Sequence, residues 1–189
     1  MLIPVTMDDN HVYRRIDGTI VPSVTQILGD IIPGWQATEW HMQRGTAVHA
    51  CAAMVASGVE FDNDPEIDGQ VAALRRFFAE IRPVVVAVEQ RVCHPTLHYA
   101  GTFDMVAFIG GRKCIVDWKA SLNERAAWQL AAYAEAIGDP QIKTGYGVEV
   151  RADGGYRMER YELKKYAREW FAIRAVYSIR ERLKLTERE

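Results

Sequence analysis

The sequence predicts an α/β domain with a central mixed β-sheet flanked by helices, and three observations carry that expectation. Before Pro83 the apolar residues recur at helical spacing, and after it they form β-branched or alternating runs. Gly110-Gly111 stands between two such runs, a strong signal for a two-residue hairpin. A helical stretch then separates this hairpin from the next strand, so that strand can join the sheet in parallel.

Taken in order, Tyr13 to Asp17, Gly18, and Thr19 to Val21 read as a small hairpin. Ser23 caps a short helix over Val24 to Leu28, and Ile31-Ile32-Pro33-Gly34 closes that piece as a turn. Residues 36 to 57 read as a helix with Thr38 as its cap, ended by Gly58. A second helix over about 65 to 81 places Ile67, Val71, Leu74, Phe77, Phe78 and Ile81 on one face, and Pro83 stops it. Three strands follow: Val84 to Val92, Tyr99 to Ile109, and Cys114 to Trp118. The helix from about 123 to 137 is capped by Asn123 and stopped by Gly138. Tyr146 to Arg151 and Tyr156 to Glu162 are paired strands about the turn Asp153-Gly154-Gly155, and an amphipathic helix from about 163 to 184 follows.

Composition excludes little. A chain of 189 residues suits one domain with one core. Cys51, Cys93 and Cys114 stand singly, which argues against a disulfide framework and a zinc site. There is no apolar run long enough to span a membrane, and the first residues lack the basic and apolar regions of a signal peptide, so a cytoplasmic protein is expected. The net charge of −2 does not advertise a nucleic-acid binder, so any attraction to DNA must be local. The Lys/Arg-rich helix after residue 163 is one candidate surface, although its interspersed glutamates fit a solvated face better.

The chemistry-bearing residues lie on the hairpin. A symmetric turn about Gly110-Gly111 pairs Ile109 with Arg112, so Asp104 is expected opposite Asp117, and Thr102 opposite Lys119. Two aspartates placed so repel one another unless something positive joins them. Lys119 supplies one charge, and a divalent cation supplies the rest. Carboxylate oxygens completed by water and phosphate suit Mg²⁺ or Mn²⁺. Such a cation polarises a phosphate oxygen and activates water, while Lys119 holds the water or neutralises developing charge.

These residues also form a recognisable pattern. Gly101-Thr102-Phe103-Asp104 followed by Ile115-Val116-Asp117-Trp118-Lys119 resembles the signature of the PD-(D/E)XK nucleases, and more specifically their RecB-type exonuclease branch. Arg44-Gly45-Thr46-Ala47-Val48-His49 is similar to that branch's helical G-x-x-x-H motif, and Gln129-Leu130-Ala131-Ala132-Tyr133 to its Q-x-x-x-Y motif. Pro22-Ser23-Val24-Thr25-Gln26-Ile27-Leu28 resembles a segment of phage exonucleases and of relatives of the mitochondrial genome maintenance exonuclease.

The resemblance implies a restriction-endonuclease-like αβββαβ core at residues 36–162, preceded by a hairpin and short helix at 1–35 and followed by a helix at 163–189, all in a single nuclease domain. It implies that Asp104, Asp117, His49 and the Trp118 carbonyl bind metal and that Lys119 is the catalytic lysine. Gln129 and Tyr133 would contact DNA or position Lys119, and Arg125 would extend their helix face toward a phosphate. Arg44, in the motif that ends at His49, joins this supporting set. Relatives often carry a glutamate near the position of Glu89, which would act as a second-metal or supporting acid. The activity implied is Mg²⁺- or Mn²⁺-dependent hydrolysis of DNA ends, single- or double-stranded, in recombination, repair or phage DNA processing. The setting would be a bacterium or a phage-infected host, with a single-strand annealing or recombination protein as a candidate partner. Iron–sulfur members of the branch use four cysteines, so no cluster is expected here. No Gly-x-x-x-x-Gly-Lys-Ser/Thr motif is present, so duplex unwinding would fall to a partner. An endonuclease of the same superfamily, a non-cleaving DNA-end-binding module, and RNA as substrate remain open alternatives. Oligomeric state is not expressed in the sequence.

Overall fold

Gly110 and Gly111 both have positive φ, 56° and 75°, the geometry a two-residue hairpin requires. They join β5 (Ala100–Ile109) to β6 (Arg112–Lys119) in the expected antiparallel register, from Ile109↔Arg112 to Met105↔Val116. Around this hairpin the computed structural model, which describes residues 4–8, 10–32 and 39–186, builds a five-stranded mixed sheet. Its order is β4 (Val84–Cys93), β5, β6, β7 (Thr144–Val150), β8 (Tyr156–Glu162). The β6–β7 pair is parallel and the others antiparallel, because helix α4 (Glu124–Ile137) carries the chain back between β6 and β7.

Strand alternation divides the core into two layers. Val106 and Ile115 face one cluster, shared with α1 (Val24–Ile31), α4 and α5 (Leu163–Arg182). Met105, Ala107, Cys114, Val116 and Trp118 face the other, shared with α2 (Glu39–Ala56) and α3 (Asp68–Ile81). Among the described residues no helix is long and apolar enough to cross a membrane.

The segment before the sheet is built from local signals. Strands β1 (Val5–Met7), β2 (Tyr13–Arg15) and β3 (Ile20–Val21) form a small antiparallel sheet. Only its second hairpin is anticipated from the sequence, since β1 is three residues long and too short for alternation to show, although Asp8 turns the chain by accepting from Asn10 N and Val12 N. Ser23 caps α1 in a capping box: Gln26 N donates to Ser23 Oγ at 3.0 Å, and Ser23 N to Gln26 Oε1 at 2.9 Å. Ala100 N donates to Pro22 O at 3.0 Å, which fixes the start of α1 against the start of β5. Replacing Ser23 with alanine should therefore lower stability by about 1 kcal/mol, read as a drop of roughly 2–4 °C in melting temperature. An unchanged melting temperature would show that water caps the helix as well as Ser23 does.

Several boundaries shift. Helix α1 continues three residues past Leu28. The expected cap Thr38 and the turn at Pro33-Gly34 lie outside the described residues. A 3-10 turn (Pro65–Ile67) precedes α3, and Arg82 ends that helix in the left-handed conformation just before Pro83. Strand β5 starts at Ala100 rather than Tyr99, and β7 at Thr144 rather than Tyr146.

Candidate metal centre

The strand pairing fails at one residue, and the site forms there. The expected Asp104–Asp117 and Thr102–Lys119 pairings are absent: the β5–β6 ladder stops at Met105↔Val116. Trp118 N donates instead to Asp104 Oδ2 at 2.7 Å, so a side chain takes the backbone donor and the strands part. On the other edge of β6 the parallel pairing with β7 continues through Asp117↔Gly147 and Lys119↔Glu149. Thr102 shares a 2.9 Å hydrogen bond with the Tyr13 hydroxyl, which straps the small N-terminal sheet to β5 two residues before Asp104.

On its other side Asp104 interrupts a second ladder. Val88↔Met105 and Gln90↔Phe103 are paired, but Glu89 between them has φ of 49°. A left-handed glutamate costs about 1–2 kcal/mol, a strain that persists only where the surroundings impose it. It places the Glu89 carboxylate beside Asp104. Ligand atoms of His49, Glu89 and Asp104 lie within 4.8 Å of one another, as a metal-binding set requires. His49 comes from α2, and its Nδ1 is 3.1 Å from Asp104 Oδ1. Its side chain is 33% exposed, so an ion can reach it from solvent.

Asp117 stands outside that trio and is the most confined acid, at 1% exposure. Lys119 Nζ forms an ion pair with Asp117 Oδ2 at 2.7 Å. Asp117 Oδ1 has no hydrogen-bond partner among the described residues. The Lys119 ammonium is fixed from the other side by Gln129 Oε1 at 2.9 Å, and Gln129 Nε2 donates to the Tyr133 hydroxyl at 3.0 Å. The i, i+4 spacing on α4 makes this relay possible.

The charges sort themselves by environment. Burial pushes the Asp117 carboxyl up; Lys119 opposes that and Asp104 adds to it. Burial also acts to raise Asp104, but His49, Lys119 and the Trp118 N–H hold it below the usual carboxylate range. Burial would depress His49, yet the Asp104 carboxylate overrides it and pushes the imidazole up to about 9. Glu89 is exposed along its chain, but partial burial of its carboxyl, followed by the Asp104 charge, pushes it up to about 7. Without a cation, therefore, the cluster holds protons where a metal would stand.

The fold is similar to that of two solved structures. They are two crystal structures of LHK-Exo, an alkaline exonuclease from Laribacter hongkongensis, one of them in complex with dAMP. The first shares 14% identity over 86% of this chain and 93% of that one, with a TM-score of 0.40. The dAMP complex shares 12% over 87% and 94%, with a TM-score of 0.42. No protein-family model and no curated protein matches the chain.

The remaining predicted residues divide. The Arg44 guanidinium lies 4.4 Å over the Trp40 ring and lines a cavity of about 430 Å³ with His49 and Lys119. The Arg125 side chain is half-buried one turn before Gln129, and among the described residues it makes no ion pair. Trp118 contributes its N–H to Asp104 and its ring to the α2–α3 core, edge-on to Phe77 at 5.1 Å.

Two polar cavity residues escape the sequence reading, Gln70 and Arg151. Gln70 left a signal. It sits three residues after Ile67 and four before Leu74, a polar side chain at a core-facing position of the helix.

Proposed function

We propose that this chain is a divalent-metal-dependent deoxyribonuclease, and that it acts from DNA ends. The reading rests first on Asp117: a carboxylate 1% exposed, paired through Oδ2 with Lys119 and with Oδ1 lacking a hydrogen-bond partner among the described residues, beside the His49–Glu89–Asp104 trio. Lys119 supplies one positive charge, and the clustered carboxylates remain costly unless a further cation joins them. Asp104, Asp117, His49 and Glu89 would hold the ion, with the Trp118 carbonyl as a further candidate donor. Mostly oxygen donors with one imidazole suit Mg²⁺ or Mn²⁺.

When bound, the ion would supply Lewis-acid polarisation of a phosphate oxygen and a more acidic water. The protein's own groups do the rest. Lys119, held by Gln129, presents its ammonium where the phosphoryl oxygens gain negative charge. Water attacks phosphorus in line with the ester oxygen that leaves. The P–O ester bond breaks, and the proton lost by the water balances the one gained by the leaving oxygen. Nothing covalent forms with the chain. Arg44 and Arg125 stand at the margins of the site, where flanking phosphates would pass.

End-labelled DNA incubated with Mg²⁺ or Mn²⁺ tests the reading. Wild type should release nucleotides, and Asp117→Ala and Lys119→Ala should each be at least a hundredfold slower. Circular single-stranded DNA should survive intact, because it offers no end. Cutting of the circle would replace the exonuclease with an endonuclease, and equal rates for wild type and Asp117→Ala would remove the site.

A further inference from the structure

Trp40, near the start of α2, is large, apolar and unclaimed by the core: among the described residues it belongs to none of the apolar clusters. The row Trp40, Arg44, Val48 occupies one face of α2 at i, i+4 spacing. It runs outward from the protein. Val48 is 6% exposed, Arg44 is half-buried and Trp40 is 51% exposed. Val48 and Arg44 line the cavity that holds His49 and Lys119, and Trp40 stands one turn beyond them, outside it. The Arg44 guanidinium lies over one face of the indole, 4.4 Å from its centre. With that face covered and half the residue exposed, the other face is left to solvent.

Leaving such a ring in water forgoes the gain of burying it, and that gain is recovered if a ligand covers the open face. The pair sets two demands on the ligand. The indole takes a flat, weakly polar group. The guanidinium, stacked by its own face, keeps its N–H edge for an anion within reach of that group. A nucleotide meets both, with its base on the ring and its phosphate at Arg44. A base inside a duplex already has neighbours on both faces. The open face therefore takes only a base that is unpaired or terminal.

We propose that Trp40 and Arg44 form a stacking platform at the mouth of the metal centre, on which one unpaired nucleotide of the DNA strand rests with its base on the indole and its phosphate at the guanidinium. The inference rests on the nuclease reading for the identity of the ligand. It adds that the strand is gripped outside the cavity, by a contact that needs a base but no particular one.

Binding without cleavage tests this. The probes are a fluorescein-labelled thymidine hexanucleotide and an abasic strand with the same number of phosphates, titrated by anisotropy in chelator. Wild type should bind the base-bearing strand about tenfold more tightly than the abasic one. In Trp40→Ala that ratio should fall to near one, and Trp40→Phe, which also offers a ring, should restore part of it. Arg44→Gln should weaken binding of both probes alike and reduce the slope of log K against log salt by about 0.7, the share of one phosphate on a single strand. Both Trp40 variants should melt within about 2 °C of wild type, because the ring supports no core. Equal wild-type affinity for the two probes, or a ratio that survives Trp40→Ala, would overturn the proposal and leave the ring to a protein partner. A melting temperature lowered in both Trp40 variants would overturn it by making the ring a packing residue. Base-dependent binding by a chain that cuts no DNA would keep the platform and sink the nuclease; cutting by a protein indifferent to bases would do the reverse.

Discussion

Asp117→Asn should abolish DNA cleavage and, in the absence of metal, raise the melting temperature. The two effects share one cause. Asp117 is a buried carboxylate paired with Lys119 through Oδ2, while among the described residues its Oδ1 has no hydrogen-bond partner. Burial outweighs Lys119 in setting its pKa, so asparagine, which keeps the shape and removes the desolvated charge, should raise stability at neutral pH. The pH dependence follows. Burial raises the folded pKa of Asp117 above its unfolded value, so the native state binds the extra proton between the two. Its contribution to metal-free stability is then lost as pH rises through the folded value, and the Asn variant should not show that loss. Thermal melts in chelator from pH 4 to pH 7 measure this. A variant that melts lower than wild type at neutral pH would show that the Lys119–Asp117 contact outweighs the burial.

Asp104 should behave in the opposite way, although both acids belong to one motif. Its oxygens accept from Trp118 N at 2.7 Å and face His49 Nδ1 at 3.1 Å. Truncation to alanine would strip both partners and leave a buried N–H unpaired, which destabilises by about 1–3 kcal/mol. Like-charge repulsion alone predicts a common response from the two aspartates; the partners of each one separate them.

That contrast marks how far the sequence is legible. Gly110-Gly111 sets the hairpin register correctly as far as Met105↔Val116, because turn geometry is local. It fails one pair later, where the outcome depends on a competition between the Asp104 carboxylate and a backbone carbonyl for the Trp118 N–H. No periodicity expresses that contest. The left-handed Glu89 is hidden for the same reason, since nothing in Val88-Glu89-Gln90 demands a positive φ. His49, Gln129 and Tyr133 stand out only through motif spacing, and the fold brings them to the centre from α2 and α4. Gln70 was legible as a polar residue on an apolar helix face, a sign easily passed over because most such residues find a partner.

Gly101→Ala should cost activity although it would touch neither metal ligand nor Lys119. A Cβ at Gly101 would stand 2.4 Å from Tyr133 Cε1, closer than atoms can approach. Tyr133 is 4% exposed and cannot swing into solvent, so the ring must be displaced. Its hydroxyl accepts from Gln129 Nε2 at 3.0 Å, and that bond orients the amide so that Oε1 receives Lys119 Nζ at 2.9 Å. Displacing the ring releases the amide, and with it the lysine. Misplacement of a catalytic group by about 1 Å can cost a hundredfold in rate, so kcat should fall on that order while KM for DNA changes little. The overpacking itself should lower stability by about 1–3 kcal/mol. Tyr133→Phe separates the two effects. It removes only the hydroxyl, so it should reproduce the fall in kcat while leaving packing nearly intact. A Gly101→Ala enzyme that keeps full kcat would show that Lys119 holds its place without the relay.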